Sequence, residues 1–183
     1  MMAQMSDPFD NSLKINASII TIGDELLIGQ VVDTNSAWIA QELNKTGIWL
    51  RRRVSVGDSK QEITHALDEE SRDADIILIT GGLGPTADDI TKPVLCEYFG
   101  GSMVVDEGAL TNVKNIFSKL NRPLIARNLK QAEVPDNCTV IPNNRGTAPG
   151  MWFEKNGKVF VSMPGVPHEM NGMMTDYVIH HLQ

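Results

Sequence analysis

Residues Ile76 to Thr91 read IILITGGLGPTADDIT, and this stretch decides the architecture. Ile76, Ile77, Leu78 and Ile79 form an unbroken run of apolar side chains, as expected for a strand buried on both faces of a parallel sheet. Thr80-Gly81-Gly82-Leu83-Gly84-Pro85 follows at once and forces a tight loop. Only glycine takes positive φ at little cost and lets a ligand approach the backbone closely. Thr86, Asp88, Asp89 and Thr91 then lead into a helical pattern from Ile90 to Phe99. Strand, glycine loop and helix start together present backbone N–H groups and a positive helix end to an anion. Asp88 and Asp89 repel a phosphate unless a cation intervenes, which points to Mg²⁺ or a similar ion. The loop matches neither G-x-G-x-x-G nor G-x-x-x-x-G-K-[ST] and holds no lysine. Glycine loops also serve as plain turns. The case for a ligand is the company of glycines, a hydroxyl at Thr86 and two acids in one short segment.

Working outward, Asn16 to Ile22 (NASIITI) reads as another buried strand, ending at Gly23-Asp24-Glu25. If the two strands are parallel, Asp24 and Glu25 share the carboxyl edge with the Gly81 loop, where open α/β sheets bind ligands. The plainer alternative is a turn glycine followed by solvated acids. Leu26 to Val32 is an apolar loop or short strand, too greasy for idle solvent-facing coil. Asp33-Thr34-Asn35-Ser36 supplies N-cap chemistry for a helix to Lys45, with Gly47 as its stop. Asp33 and Asn35 are caps first, and ligand contacts by their position after the first strand. Trp49 to Val56 alternates apolar residues with Arg51-Arg52-Arg53 and suits an outer strand; Lys60 to Ser71 is the next helix.

Beyond the central stretch, Met103 to Val105 is a short strand. Glu107 to Leu120 is a helix whose Leu110, Val113, Ile116, Phe117 and Leu120 predict a core stripe. Arg127 and Lys130 are the best cations for neutralising substrate phosphates, near a connection into strand Cys138 to Ile141. Met151 to Glu154 and Lys158 to Met163 form a hairpin around Asn156-Gly157, which adds an antiparallel element. Pro164-Gly165-Val166-Pro167-His168-Glu169 is a further loop-to-helix junction. His168 and Glu169 suit acid/base or hydrogen-bonding roles, although a first-turn glutamate also simply complements the helix dipole.

With 183 residues the chain suits one sizeable domain, burying roughly two thirds of its unfolded surface. A net charge of −7 and a pI near 5.0 argue against a nucleic-acid or acidic-membrane partner. Cys96 and Cys138 show no zinc-ligand spacing, so a reduced, cytoplasmic setting is expected. No apolar run reaches the length of a membrane span. Residues 1–15 read as a flexible leader and 16–183 as the domain. The last helix reaches Gln183 without a stop signal, as in a domain cut from a longer chain.

These segments resemble the N-terminal domain of the CinA (competence/damage-inducible protein A) family, within the molybdopterin-binding superfamily of MoaB, MogA and the central domain of MoeA. The resemblance rests on GDELLIGQVVDTNSAWIAQEL (Gly23 to Leu43), TGGLGPTADDIT (Thr80 to Thr91), RNLKQAEVP (Arg127 to Pro135), NNRGTAPGMW (Asn143 to Trp152) and MPGVPHEM (Met163 to Met170). It implies a three-layer α/β/α fold with a mostly parallel sheet, and commonly a homodimer. It also implies an ADP-ribose pyrophosphatase that uses a divalent cation (Mg²⁺ or Co²⁺) and K⁺ and yields AMP and ribose 5-phosphate. A separate C-terminal nicotinamide mononucleotide deamidase domain accompanies this one in whole CinA proteins.

In the roles so implied, the loop Gly81, Gly82, Gly84 and Pro85 holds the diphosphate of the nucleotide. Asp89, with Asp24 or Glu25, does the chemistry and places the cation, with Asp24, Asp88 and Asp89 as metal-directed acids. Thr86, Asp33 and Asn35 steer ribose or phosphate oxygens, while Pro164, Gly165, His168 and Glu169 line the same edge. The superfamily's adenylyltransferases resemble one another in an arginine where this chain has Asp88. That exchange disfavours a strongly anionic pterin phosphate, leaving adenylyl transfer to molybdopterin second. A non-catalytic nucleotide or pterin sensor is the third reading.

Overall fold

The computed structural model describes residues 14–183; the rest of the expected leader lies outside the described residues. Its strands are β1 (Asn16–Ile22), β2 (Trp49–Val56), β3 (Ile76–Thr80), β4 (Met103–Val105), β5 (Glu133–Pro135), β6 (Thr139–Ile141), β7 (Gly150–Lys155) and β8 (Lys158–Met163). Its helices are α1 (Asp24–Leu27), α2 (Thr34–Lys45), α3 (Lys60–Asp73), α4 (Thr91–Tyr98), α5 (Glu107–Lys119), α6 (Ala126–Leu129), α7 (Pro167–Met173) and α8 (Ile179–Leu182).

The main sheet runs β2-β1-β3-β8-β7-β6, and its first four strands are mutually parallel. Every residue of β3 is buried, because successive side chains feed two different cores. Ile77 and Ile79 meet Ile63 and Leu67 of α3 and Leu95 of α4. Ile76 and Leu78 meet Ile39 and Leu43 of α2 and the methionines Met170, Met173 and Met174. A sheet with an apolar core on each face is the expected three-layer α/β fold. The β7–β8 hairpin is antiparallel, and its turn holds Asn156 and Gly157 at φ 54° and 72°. Two left-handed residues make the turn whose twist matches the strands. Arginine-rich β2 forms an edge of the sheet, as its alternation predicts.

Three segments depart from expectation. Leu26 to Val32 is neither strand nor covered loop: Asp24–Leu27 is a helical turn whose last residue, Leu27, is exposed, as are Ile28, Val31 and Val32 beyond it. The α5 stripe is only partly core. Ala109 and Val113 are buried, whereas Leu120 is 57% exposed. The helix packs on the short α6 and the Lys130–Ala132 turn, which cover a single row of side chains. Finally, β4 pairs with β5 in a two-stranded ribbon outside the main sheet. Among the described residues no helix is long and apolar enough to cross a membrane.

Candidate functional site

The chain leaves β1 through α2 to reach β2 on one side, then returns through α3 to β3 on the other side of β1. Reversal of strand order between β1 and β3 opens a crevice at their carboxyl ends, the usual ligand position in open α/β sheets. A cleft of about 460 Å³ lies there. Its walls are the ends of β1 and β3, the 81–85 loop, the 31–35 segment and the 164–167 turn.

The glycine loop is built by close approach. Gly81 has φ 105° and donates to the Met163 carbonyl at 3.1 Å, and a methyl group there would collide with the carbonyl oxygen of Ile22. Gly82 has φ 68°, and a side chain would meet the Thr91 hydroxyl. The Thr91 amide in turn donates to Gly82 O at 3.1 Å, which ties the loop to the start of α4. Amides of Gly82, Leu83 and Gly84 find no acceptor among the described residues, so this loop offers donors at the cleft.

Several expected residues meet there: Gly81, Gly82, Gly84, Pro85, Glu25, Asp33, Asn35, Asp88, Asp89, Pro164, Gly165 and Glu169 all line the cleft. Others do not. Asp24 sits just outside, where its carboxylate accepts from the Asp58 amide at 3.0 Å while Asp58 accepts from the Asp24 amide at 3.1 Å. Thr86 is outside the lining and donates its amide to Asp89 at 2.9 Å and its hydroxyl to the same carboxylate. Asp33 is both wall and N-cap, accepting from the Ser36 amide at 2.9 Å and from the Thr21 hydroxyl at 3.3 Å. Arg127 and Lys130 are exposed at α6 and the following turn, outside the lining, because those four-residue and three-residue helices carry their side chains outward. His168 is exposed as well, and only its carbonyl is used, by Arg145 at 3.1 Å.

Glu169 is the acid most firmly placed. Asn143, itself buried, donates to it at 2.6 Å and to the Ala148 carbonyl at 2.9 Å. Burial pushes the Glu169 carboxyl above its ordinary value, against the Asn143 bond and the His168 charge. Asn112 of α5 braces the same loop through the carbonyls of Asn143 and Gly146 at 3.0 and 2.9 Å.

Gln131, Thr147 and Asp58 are among the lining residues that the sequence did not single out. Gln131, buried, donates to Leu83 O and accepts from the Thr147 hydroxyl, each at 3.4 Å, joining the glycine loop to the opposite wall. Both residues lie inside stretches singled out above, where cations and small residues drew attention first. Asp58 is the third, in the short link between β2 and α3. Burial raises its carboxyl pKa; the Asp24 amide bond opposes this, and the charges of Asp24, Glu25 and Asp88 add to it. Behind the wall, buried Lys92 donates to Gln131 O at 3.1 Å, and burial lowers its pKa to about 8, against the attraction of Glu133 and Cys138.

The expected metal set does not assemble. Among the described residues no three His, Cys, Asp or Glu side chains converge as an ion would need. Asp24 accepts from the Asp58 amide and Asp89 from Thr86, and both carboxylates keep further lone pairs.

Fold and cleft together define a doubly wound α/β domain with an open cleft at its switch point. Comparison with known proteins narrows the class. A family model described as a probable molybdopterin binding domain matches residues 18–183. A CinA-like protein of Cytophaga hutchinsonii is 52% identical over 162 residues, which is 88% of this chain and 39% of that protein. The crystal structure of CinA, of unknown function, from Thermoplasma acidophilum superposes with a TM-score of 0.80 at 36% identity, covering 89% of this chain and 95% of that one. The chain therefore belongs to the CinA family within the molybdopterin-binding-domain superfamily. The tungsten cofactor synthesizing protein MoaB of Pyrococcus furiosus shares the fold alone, with a TM-score of 0.60 at 19% identity over 93% and 96% of the two chains. The chain spans about two fifths of the length of the curated relatives it matches.

Proposed function

We propose that this cleft hydrolyses the diphosphate of ADP-ribose or a related nucleotide diphosphate, in a reaction that depends on a divalent cation. Water attacks one phosphorus, the bridging P–O bond breaks, and AMP and ribose 5-phosphate leave. The observation that carries the reading is the glycine loop. A side chain at Gly81 would strike backbone and one at Gly82 the Thr91 side chain, and the amides of Gly82, Leu83 and Gly84, at the cleft lining before α4, have no acceptor among the described residues. Donors fixed before the ligand arrives stabilise charge on phosphoryl oxygens without reorganising. Asp89 shapes this loop through Thr86, and Glu169 offers the opposite wall a carboxyl held by Asn143. Asn35 holds the Gly165 turn through a 2.8 Å bond and so sets the cleft's width.

The family model's description favours a second reading, adenylyl transfer to molybdopterin. Asp88 in the cleft wall speaks against it, because an acid there repels a terminal pterin phosphate. Product analysis separates the readings. ADP-ribose incubated with the protein and Mg²⁺ or Co²⁺ is expected to give AMP and ribose 5-phosphate, with the yield lost in Asp89→Asn. Pyrophosphate release from ATP with no AMP from ADP-ribose would overturn the hydrolase in favour of the transferase. Ligand binding without any turnover would leave a sensor domain.

A further inference from the structure

Two of the three free amides of the glycine loop stand on peptide planes that are already pinned. In a trans peptide the C=O and the following N–H point opposite ways, so holding the carbonyl oxygen sets the direction of the amide. Gly82 O accepts from the Thr91 amide at 3.1 Å, which sets the Leu83 N–H. Leu83 O accepts from Gln131 Nε2 at 3.4 Å, which sets the Gly84 N–H. The first anchor is backbone at the start of α4, but the second is a side chain. Without it Leu83 O becomes a buried acceptor with no partner, and the plane gains by turning. The Leu83 side chain stays in the core in either case, so the plane turns while the loop keeps its place.

Gln131 is 4% exposed and both ends of its amide are used, because Oε1 accepts from the Thr147 hydroxyl at 3.4 Å. Both bonds are long, so neither holds the side chain on its own. Its place depends on the backbone that carries it, the three-residue turn Lys130–Ala132. Lys92 fixes that turn, since its Nζ donates to Gln131 O at 3.1 Å. Lys92 is 7% exposed, and among the described residues no carboxylate forms an ion pair with it. Burying an ammonium against one neutral acceptor costs stability. The bond it gains in return holds the residue that anchors the glycine loop.

From this chain of bonds we infer that Gln131 and Lys92 are positioning residues for the reaction in the cleft. Lys92 holds the turn, and Gln131 holds the Leu83–Gly84 peptide so that the Gly84 amide has its direction before a phosphoryl oxygen arrives. The inference rests on the hydrolase reading above and adds the pair that keeps one loop donor in place. Both residues act through the loop rather than on the reacting atoms. A donor fixed in advance stabilises developing charge without reorganising, and a donor whose support is loose does not.

Amide ¹⁵N relaxation of the unliganded protein tests the inference, with Gln131→Met and Lys92→Met beside wild type. Methionine fills much of the space of either side chain and removes its bonds; urea midpoints confirm that both variants fold. In wild type, Leu83 and Gly84 are both expected near the rigid order parameter of about 0.85. In Gln131→Met, Gly84 should fall below about 0.6 while Leu83, still pinned by Thr91, keeps its value. Lys92→Met should move Gly84 the same way by less, although its urea midpoint rises. A residue that only supports the fold would not loosen the loop while its loss stabilises the chain. Calorimetric titration with AMP and MgCl₂ should show affinity about fivefold weaker in Gln131→Met, the factor that one lost hydrogen bond makes. Gly84 as ordered in both variants as in wild type, or Leu83 and Gly84 loosened alike, would overturn the inference. So would a loosened Gly84 with AMP bound as tightly as before. Loosening in Gln131→Met alone would overturn the part given to Lys92. Failure of the hydrolase reading looks different: wild type binds no AMP and forms none from ADP-ribose, while the order parameters keep their pattern.

Discussion

Gly81→Ala tests the glycine loop where the account is most exposed. Gly81 adopts φ 105°, and an added Cβ would strike the carbonyl oxygen of Ile22, part of the strand paired beside it. Left-handed backbone costs an L-residue roughly 1–2 kcal/mol. Forcing a methyl against rigid backbone adds about 1–3 kcal/mol, since β1 and β3 cannot separate without loosening both cores. Lower entropy of the unfolded chain returns about 0.4–1 kcal/mol. The net loss is about 2–4 kcal/mol, a large part of the roughly 5–15 kcal/mol that holds a domain together. Urea unfolding of wild type and variant measures it. Gly157→Ala is the matched control, because Gly157 also has positive φ, 72°, but nothing within 4 Å of an added methyl. It should lose only the conformational cost less the same entropy return, about 0–1.6 kcal/mol. Equal losses in the two variants, or a Gly81→Ala loss below about 0.5 kcal/mol, would refute the close-approach argument.

Asn143→Ala removes two donated bonds and the acceptor for the Arg145 amide, and should cost about 3–5 kcal/mol by urea unfolding. Glu169 already sits above its ordinary pKa, so the stability it contributes is present below its unfolded value and lost as pH rises through the folded one. Without Asn143 that pKa climbs further, and the variant should trail wild type by more at pH 7 than at pH 4. Lys92, lowered to about 8, is charged at a cost in the folded protein at neutral pH. Wild-type stability should therefore gain as pH rises from about 8 towards the ordinary lysine value of 10.5, and Lys92→Met should flatten that gain in urea midpoints. The same variant should be on the order of 1 kcal/mol more stable at pH 7, after losing its bond to Gln131. Asp33→Ala uncaps α2 and should cost about 1–2 kcal/mol, read as a lowered thermal midpoint.

Much of the fold was legible because its signals are local. Four consecutive apolar residues before a glycine loop required a strand buried on both faces, and β3 is that strand. Asn156-Gly157 required a hairpin turn, and Asp33 lies where a helix needs an acceptor. The site was legible wherever it stands at a strand end, which is why the Gly81 loop, Glu25, Asn35 and Gly165 meet. It was not legible where side-chain direction depends on distant packing. Arg127 and Lys130 are the right chemical types in the right segment, but two very short helices carry them outward, and their neighbour Gln131 faces the cleft instead. Asp58, in the short link after β2, carries no local signal; only the pairing of β1 with β2 places it beside Asp24. The apolar Leu26 to Val32 run looked like buried chain because sequence does not show that it caps a cleft rim.

Ligand is expected at the carboxyl ends of β1 and β3, on the amides of the glycine loop. An ¹⁵N–¹H correlation spectrum titrated with AMP and MgCl₂ tests this most directly, since it reports each amide without depending on turnover. Shifts concentrated at Gly81, Gly82, Leu83 and Gly84, with weaker ones at Gly23 and Gly165, are the predicted result. Shifts centred instead on Gly108, Asn112 and Asn144, around the separate cavity beside α5, with the glycine loop unmoved, would contradict it.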